Sequence, residues 1–243
     1  VAFLPRHGRG HVHNPSNVPY QANMCALKML GVTDIVAMSA CGSLREDMKP
    51  GDFVLVDQFI DRTFKREKSF FNQGCVAHVS VADPTCGRMS EICRTAMQEL
   101  DVAYHDRGTY RSMEGPKFST KAESVLYREN WKCDVIGMTN MPEAKLAREA
   151  EICYAPIAMV TDFDCWHPDH ENVEVSDIIK TLTTNAATAK SLVKTIVALL
   201  SSKRDRCSHG CDRALEYAVI TDKTKISDAE KERLWPIAGR LLG

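Results

Sequence analysis

Apolar residues gather in short runs that break off at polar clusters, most sharply at 155–160, where APIAMV leads into Thr161, Asp162, Phe163, Asp164 and Cys165. An apolar run of small and branched residues is the pattern of a strand buried on both faces. In open α/β sheets ligands bind beyond the carboxyl ends of the strands. Two carboxylates two residues apart at such an end are candidates for handling a ligand's protons. A weaker strand exit, DVIGMTN at 134–140, would bring Met138 and Thr139 to the same crevice.

The remaining pattern alternates strands with helices. Residues 1–5 read as a strand, 20–30 as a helix stopped by Gly31, and 34–40 as a strand running into Cys41, Gly42 and Ser43. Another strand is predicted at 52–56 after the Pro50-Gly51 turn, and 57–84 is irregular and polar. Arg62, Lys65, Arg66 and Lys68 there read as a solvated charge run. A helix at 89–100 precedes a strand at 103–113. Helices at 119–129 and 142–150 each lead into an apolar strand, at 134–138 and 153–160. Past a polar linker, Ser176 is placed to cap a long helix ending at Leu200, whose apolar positions keep the 3.6 period. A charged link at 201–210 precedes a tail with one short strand-like piece and a final helix from Asp228. The expected fold is α/β, a single domain over 1–243 with a mostly parallel or mixed sheet flanked by helices, residues 1–200 forming the core and 201–243 a tail.

Composition narrows the function. The 243 residues suffice for one large core, and a net charge of −1 offers no electrostatic footprint for nucleic acid or an anionic membrane. No apolar stretch is long enough to cross a bilayer and no signal peptide is evident, which places the chain in the cytoplasm. The 10 cysteines are scattered through apolar segments and read as buried reduced thiols. Cys207 and Cys211 have the spacing of metal ligands but lack a second pair, so no metal is expected.

Three loops carry candidate chemistry. RHGRGHVH at 6–13 packs Arg6, Arg9, His7, His11 and His13 together; it reads as an oxyanion or phosphate site, a metal site, or a merely solvated loop, and arginine's bidentate fit to phosphate favours the first. The small residues of SACGS at 39–43 let backbone N–H groups approach an anion, or merely permit tight packing. Phe118 is either core or a stacking face for a flat ligand, and core is the simpler reading.

Several motifs together resemble one family. RHGR at 6–9, ACGSLRE at 40–46, PGDFVLVDQFIDRT at 50–63, EGPKFST at 114–120, MTNMPEA at 138–144 and TDFDCW at 161–166 stand in the order found in the trimeric purine nucleoside phosphorylases, and most resemble the members that cleave 5′-methylthioadenosine. The resemblance covers residues 1 to about 200. It implies that phosphate attacks the anomeric carbon, releasing adenine and 5-methylthioribose 1-phosphate, with no cofactor and with the chain a homotrimer. It also implies phosphate ligands at Arg6, His7, Thr139 and the Ser39-Ala40 pair, and His11 near phosphate and ribose. Met138 would lie under the ribose and Phe118 on the base, with Phe163 beside the two aspartates. Asp162 and Asp164 would hold the purine N7 and amino group. Ser119 and Val175 would set nucleoside preference, Ile178 and Ile179 would line the alkylthio pocket, and His78 would reach a neighbouring subunit's pocket.

The chemistry agrees with that implication. Breaking an N-glycosidic bond makes the sugar cationic and the leaving base anionic, so protonation at N7 and an anion beneath the ring both favour cleavage. A protonated aspartate can donate to N7 while accepting from a 6-amino group, whereas a 6-oxopurine suits an asparagine better. Apolar Val175 and Ile178 suit a methylthio group. Rival readings are a 6-oxopurine nucleoside phosphorylase, a hydrolase using water, and a shortened, inactive nucleoside-binding relative. That last reading arises because the strand and glycine-rich turn that open the family have no counterpart before Val1. Gly137 stands where some members carry asparagine, and only a local adjustment of base contacts is expected there.

Overall fold

The computed structural model describes residues 1–168, 175–200 and 206–242. Part of the polar linker ahead of the long helix, and residues 201–205 of the charged link, lie outside the described residues. The order is α1 Tyr20–Met29, β1 Asp34–Ser43, β2 Phe53–Leu55, β3 Gln58–Asp61, α2 Gly87–Glu99, β4 Tyr104–His105, β5 Thr109–Ser112, α3 Lys121–Val125, β6 Val135–Gly137, α4 Asn140–Glu149, β7 Cys153–Asp162, α5 Val175–Leu199 and α6 Asp228–Leu242.

The seven strands form one mixed sheet in the order β3-β5-β6-β1-β7-β2-β4. β1 and β7 run parallel at its centre over most of their length, from Asp34 opposite Cys153 to Cys41 opposite Val160. Side chains along β7 serve different layers by the two-residue period of a strand. Tyr154 joins the core beneath α1, α4 and α6, while Cys153, Ala155 and Ile157 join that beneath α2 and α5. Full burial of an aliphatic side chain such as Leu192 or Ile157 contributes roughly 1.5–3 kcal/mol.

The sheet curls until its ends meet. The predicted strand at 103–113 is in fact two, β4 pairing with β2 at one edge and β5 pairing with β3 at the other. The break falls at Gly108, whose carbonyl accepts from Asp57 N–H at 3.2 Å, and a Cβ at Gly108 would lie 2.7 Å from Val54 Cγ1. The glycine permits the close approach that closes the sheet. A third core fills the inside of the curl with Cys41, Met48, Val54, Val56, Tyr110, Val135, Ala158 and Val160.

Several sequence expectations need correction. Residues 1–5 form no strand, and Val1 and Phe3 are 89% and 79% exposed. Thr120 caps α3 through a reciprocal capping box with Glu123, and the turn that follows, Leu126–Asn130, is π-helical. α5 runs Val175–Leu199, with Ser176 in its first described turn. The strand-like piece of the tail amounts to one bridge, Ala77 to Val219. Arg66 of the supposedly solvated run is buried, its side chain 0% exposed, and Lys68 donates to Thr63 O and pairs with Asp61. Cys207 and Cys211 do meet a second pair, Cys86 and Cys153, which folding brings from far away in the chain. Among the described residues no helix is long and apolar enough to cross a membrane.

Candidate active site

A cavity of about 840 Å³ opens where β1, β6 and β7 end. Its walls are Ser39 to Gly42, Ile136 to Thr139, and Thr161 with Asp162 and Asp164; the 4–15 loop and the first turns of α5 cover it. Arg6 and Asp162, 156 positions apart in sequence, line this one space.

The cationic wall is held from behind. Arg6 Nη1 donates to Thr139 Oγ1 at 2.7 Å and Nε pairs with Glu143 at 3.1 Å, while Tyr154 Oη donates to Glu143 at 2.7 Å. Burial, the largest single influence, would weaken the guanidinium's hold on its proton, but Glu143 together with Tyr154, Tyr110 and Tyr20 outweighs it and Arg6 stays a cation. His7 donates from Nδ1 to His13 O at 2.8 Å and stacks on His11 with ring centres 4.1 Å apart. Burial pushes the His7 pKa down, with further lowering from His11 and Arg6, so its Nε2 carries a free lone pair at neutral pH. Ser39 Oγ donates to Asn140 Oδ1 at 3.4 Å.

The acidic wall is made by an irregularity between β1 and β7. The register shifts between Cys41 and Gly42, which places Gly42 opposite Asp162. A Cβ at Gly42 would stand 2.8 Å from Asp162 Oδ1, so a glycine is what lets the carboxyl lie against the neighbouring strand. Asp162 accepts from Thr161 Oγ1 at 2.7 Å and from Asp164 N–H at 2.8 Å. Burial nevertheless pushes its pKa up to about 6. Asp164 sits in a left-handed conformation, φ 49°, and is also raised by burial, partly offset by the Ser124 and Ser119 hydroxyls facing it. Its Oδ2 completes no hydrogen bond of ordinary geometry.

Of the residues singled out in the sequence, Arg6, His7, His11, Ser39, Ala40, Phe118, Met138, Thr139, Asp162, Asp164, Val175 and Ile178 line the cavity. Phe118, 41% exposed, is at its edge and not in the core. Four lie off the wall. Phe163 is buried edge-on against Trp166, Ser119 backs Asp164, Ile179 is 57% exposed on α5, and His78 is bonded through its backbone to Ala218.

Other contributors were not anticipated. Arg66 braces the wall from behind, donating from Nη1 to Met141 O at 2.6 Å and to Met138 O, and from Nη2 to Glu114 O at 2.6 Å, with Nε paired to Glu114 at 3.2 Å. Glu143 and Asn140 fall inside the MTNMPEA motif, which was the only signal for either. Gly137 also differs from expectation: a Cβ there would fall 1.9 Å from Tyr110 Oη, so any side chain would require Tyr110 to move.

Residues 1–198 match the model of the Phosphorylase superfamily. A relative from Cereibacter sphaeroides, named S-methyl-5′-thioadenosine phosphorylase, is 62% identical over 242 residues, covering 100% of this chain and 83% of its own length. One of the same name from Rhodospirillum rubrum is 54% identical over 243 residues, covering 100% and 82%. Among solved structures, a methylthioadenosine phosphorylase from an antarctic soil metagenomic library superposes with a TM-score of 0.91 at 49% identity, over 98% of this chain and 83% of its own. A methylthioadenosine phosphorylase from Schistosoma mansoni in complex with adenine gives a TM-score of 0.83 at 37% identity, over 87% and 81%. With the curled mixed sheet and the cavity at its strand ends, these likenesses place the chain in the Phosphorylase superfamily.

Proposed function

We propose that the chain is a pentosyltransferase that cleaves 5′-methylthioadenosine with inorganic phosphate, giving adenine and 5-methylthioribose 1-phosphate. The observation that carries this reading is the pairing, in one cavity, of a carboxyl with a pKa near 6 and a buried arginine on a different wall. At neutral pH a minority of Asp162 is protonated, and that form donates to the purine N7 as negative charge builds on the leaving base. Its other oxygen accepts from the 6-amino group. Arg6 and Thr139, with His7 and the Ser39-Ala40 backbone, hold the phosphate beneath the sugar. Neutral His7 accepts the phosphate's own proton at Nε2, so a cation is not needed at every contact.

Phe118 packs on the base and Met138 under the ribose, with Asp164, Phe163 and His11 completing the nucleoside site. Val175 and Ile178, joined by Ile179, take the methylthio end, where a 5′-hydroxyl would be left unpaired. Ser119 adjusts preference from behind Asp164. The reading includes a cytoplasmic homotrimer in which His78 enters a neighbour's pocket, and chemistry that needs no cofactor. The test is adenine release from methylthioadenosine with and without phosphate, beside the same assay on inosine. Phosphate-dependent release confined to the 6-aminopurine supports the reading. Release without phosphate would replace it with a hydrolase, and preference for inosine with a 6-oxopurine phosphorylase.

A further inference from the structure

Away from the cavity, four nucleophilic side chains converge without a part in phosphorolysis. The Sγ atoms of Cys86, Cys153, Cys207 and Cys211 all lie within 4.8 Å of one another, and all four residues are buried with no disulfide among them. Three separate segments deliver them: Cys86 directly precedes α2, Cys153 opens β7, and Cys207 and Cys211 flank a tight turn. That turn is closed by Gly210 N–H donating to Cys207 O at 2.9 Å, with Gly210 at φ 68°.

A zinc ion bound by four thiolates at about 2.3 Å has sulfur–sulfur edges of about 3.8 Å. Cys86 and Cys207 already stand 3.6 Å apart. The three residues between Cys207 and Cys211 fall within the spacing of structural zinc pairs, roughly two to four residues. Cysteine is also a small core residue, and packing alone accounts for Cys93 in the same cluster of side chains. Packing does not account for two guanidinium groups drawn to the thiols. Arg148 Nη1 donates to Cys211 Sγ at 3.7 Å, and the Arg88 guanidinium, paired with Asp34, is further stabilised as a cation by Cys153 and Cys86 nearby. Cations contribute little beside neutral thiols, but they stabilise a zinc tetrathiolate, whose net charge is −2.

We propose that Cys86, Cys153, Cys207 and Cys211 bind one structural Zn²⁺ as a closed tetrathiolate. Binding releases the four thiol protons to solvent and involves no change of oxidation state. With all four positions taken by sulfur there is none for water or substrate, so the ion fastens the 206–213 turn to the base of β7 instead of taking part in chemistry. Asp162 lies at the far end of that strand, roughly 30 Å away at the usual rise per residue.

The experiment is elemental analysis of the full chain, purified under reducing conditions without chelator and then passed through a desalting column after incubation with Zn²⁺. The expected result is about one zinc per chain, released by a thiol-reactive mercurial, with Co²⁺ exchange giving the visible bands of a tetrahedral thiolate site. Cys211→Ser should reduce bound zinc at least tenfold, and Cys25→Ser should leave it unchanged. Reduced wild-type protein that retains no zinc would overturn the proposal. So would iron in place of zinc, or a thiol titration of the purified protein that finds two of the four sulfurs already joined as a disulfide. Because the wild-type measurement decides, a variant that fails to fold does not obscure the answer.

Discussion

The two chemical walls of the cavity are built on opposite plans. Arg6 is compensated: Glu143 balances its charge, Thr139 takes another N–H, and Tyr154 steadies Glu143 from the core. Asp162 is held by two hydrogen bonds yet pairs with no cation among the described residues, and burial lifts its pKa to about 6. The cationic wall is therefore stable before any ligand arrives, whereas the acidic wall carries an unfavourable carboxylate that a proton or a ligand donor relieves. A phosphate must compete with Glu143 for Arg6, while an adenine meets a group already inclined to share a proton.

The largest expected effect tests the acidic wall. Asp162→Asn should slow turnover of methylthioadenosine by about 10² to 10⁴, the usual contribution of a placed general acid, and raise the relative use of 6-oxopurines. Steady-state kinetics on both substrates reads this, and an unaltered preference would remove Asp162 from the base. Next comes the cationic wall, where Arg6→Ala should raise the apparent KM for phosphate about 10²-fold with a smaller change for the nucleoside. Equal losses for both substrates would mean that Arg6 organises the loop without touching the anion.

A third expectation concerns stability. The folded state holds the Asp162 proton more tightly than the unfolded chain, about 6 against 3.8, so this group's contribution is greatest below pH 4 and declines as pH climbs to 6. The shift corresponds to on the order of 3 kcal/mol. Asp162→Asn should be more stable than wild type at pH 7 by up to that amount, with the gap closing near pH 4 in denaturant titrations. An equal gap at both pH values would show that the carboxyl is not strained. The smallest effect is expected of Glu143→Gln, which frees Arg6 from its counterion and should tighten phosphate about fivefold, equivalent to roughly 1 kcal/mol. A weaker phosphate KM would instead make Glu143 the group that aims Arg6.

Legibility in the sequence followed distance along the chain. The strand that ends at Asp162 could be read because its signal is local, an apolar run breaking at polar residues, and the family resemblance brought twelve residues that line the cavity. The closure of the sheet could not, since 103–113 reads as one strand in the letters and only Gly108 marks where it leaves one edge for the other. Arg66 resembled its solvated neighbours because its acceptors, on Glu114, Met138 and Met141, lie 48 to 75 positions away. The second cysteine pair was hidden for the same reason, with Cys86 lying 121 positions from Cys207.

The contact between Gly137 and Tyr110 sets an order on how this lineage can vary. A methyl group at 137 meets the phenol oxygen at 1.9 Å and the ring carbon beneath it at 2.7 Å, so exchanging tyrosine for phenylalanine does not open the room. Position 110 must first move aside or accept a smaller side chain, the latter at the cost of a void inside the curled sheet. Descendants that carry a larger residue at 137 should thus show the earlier change at 110, and the two sites should drift as a linked pair.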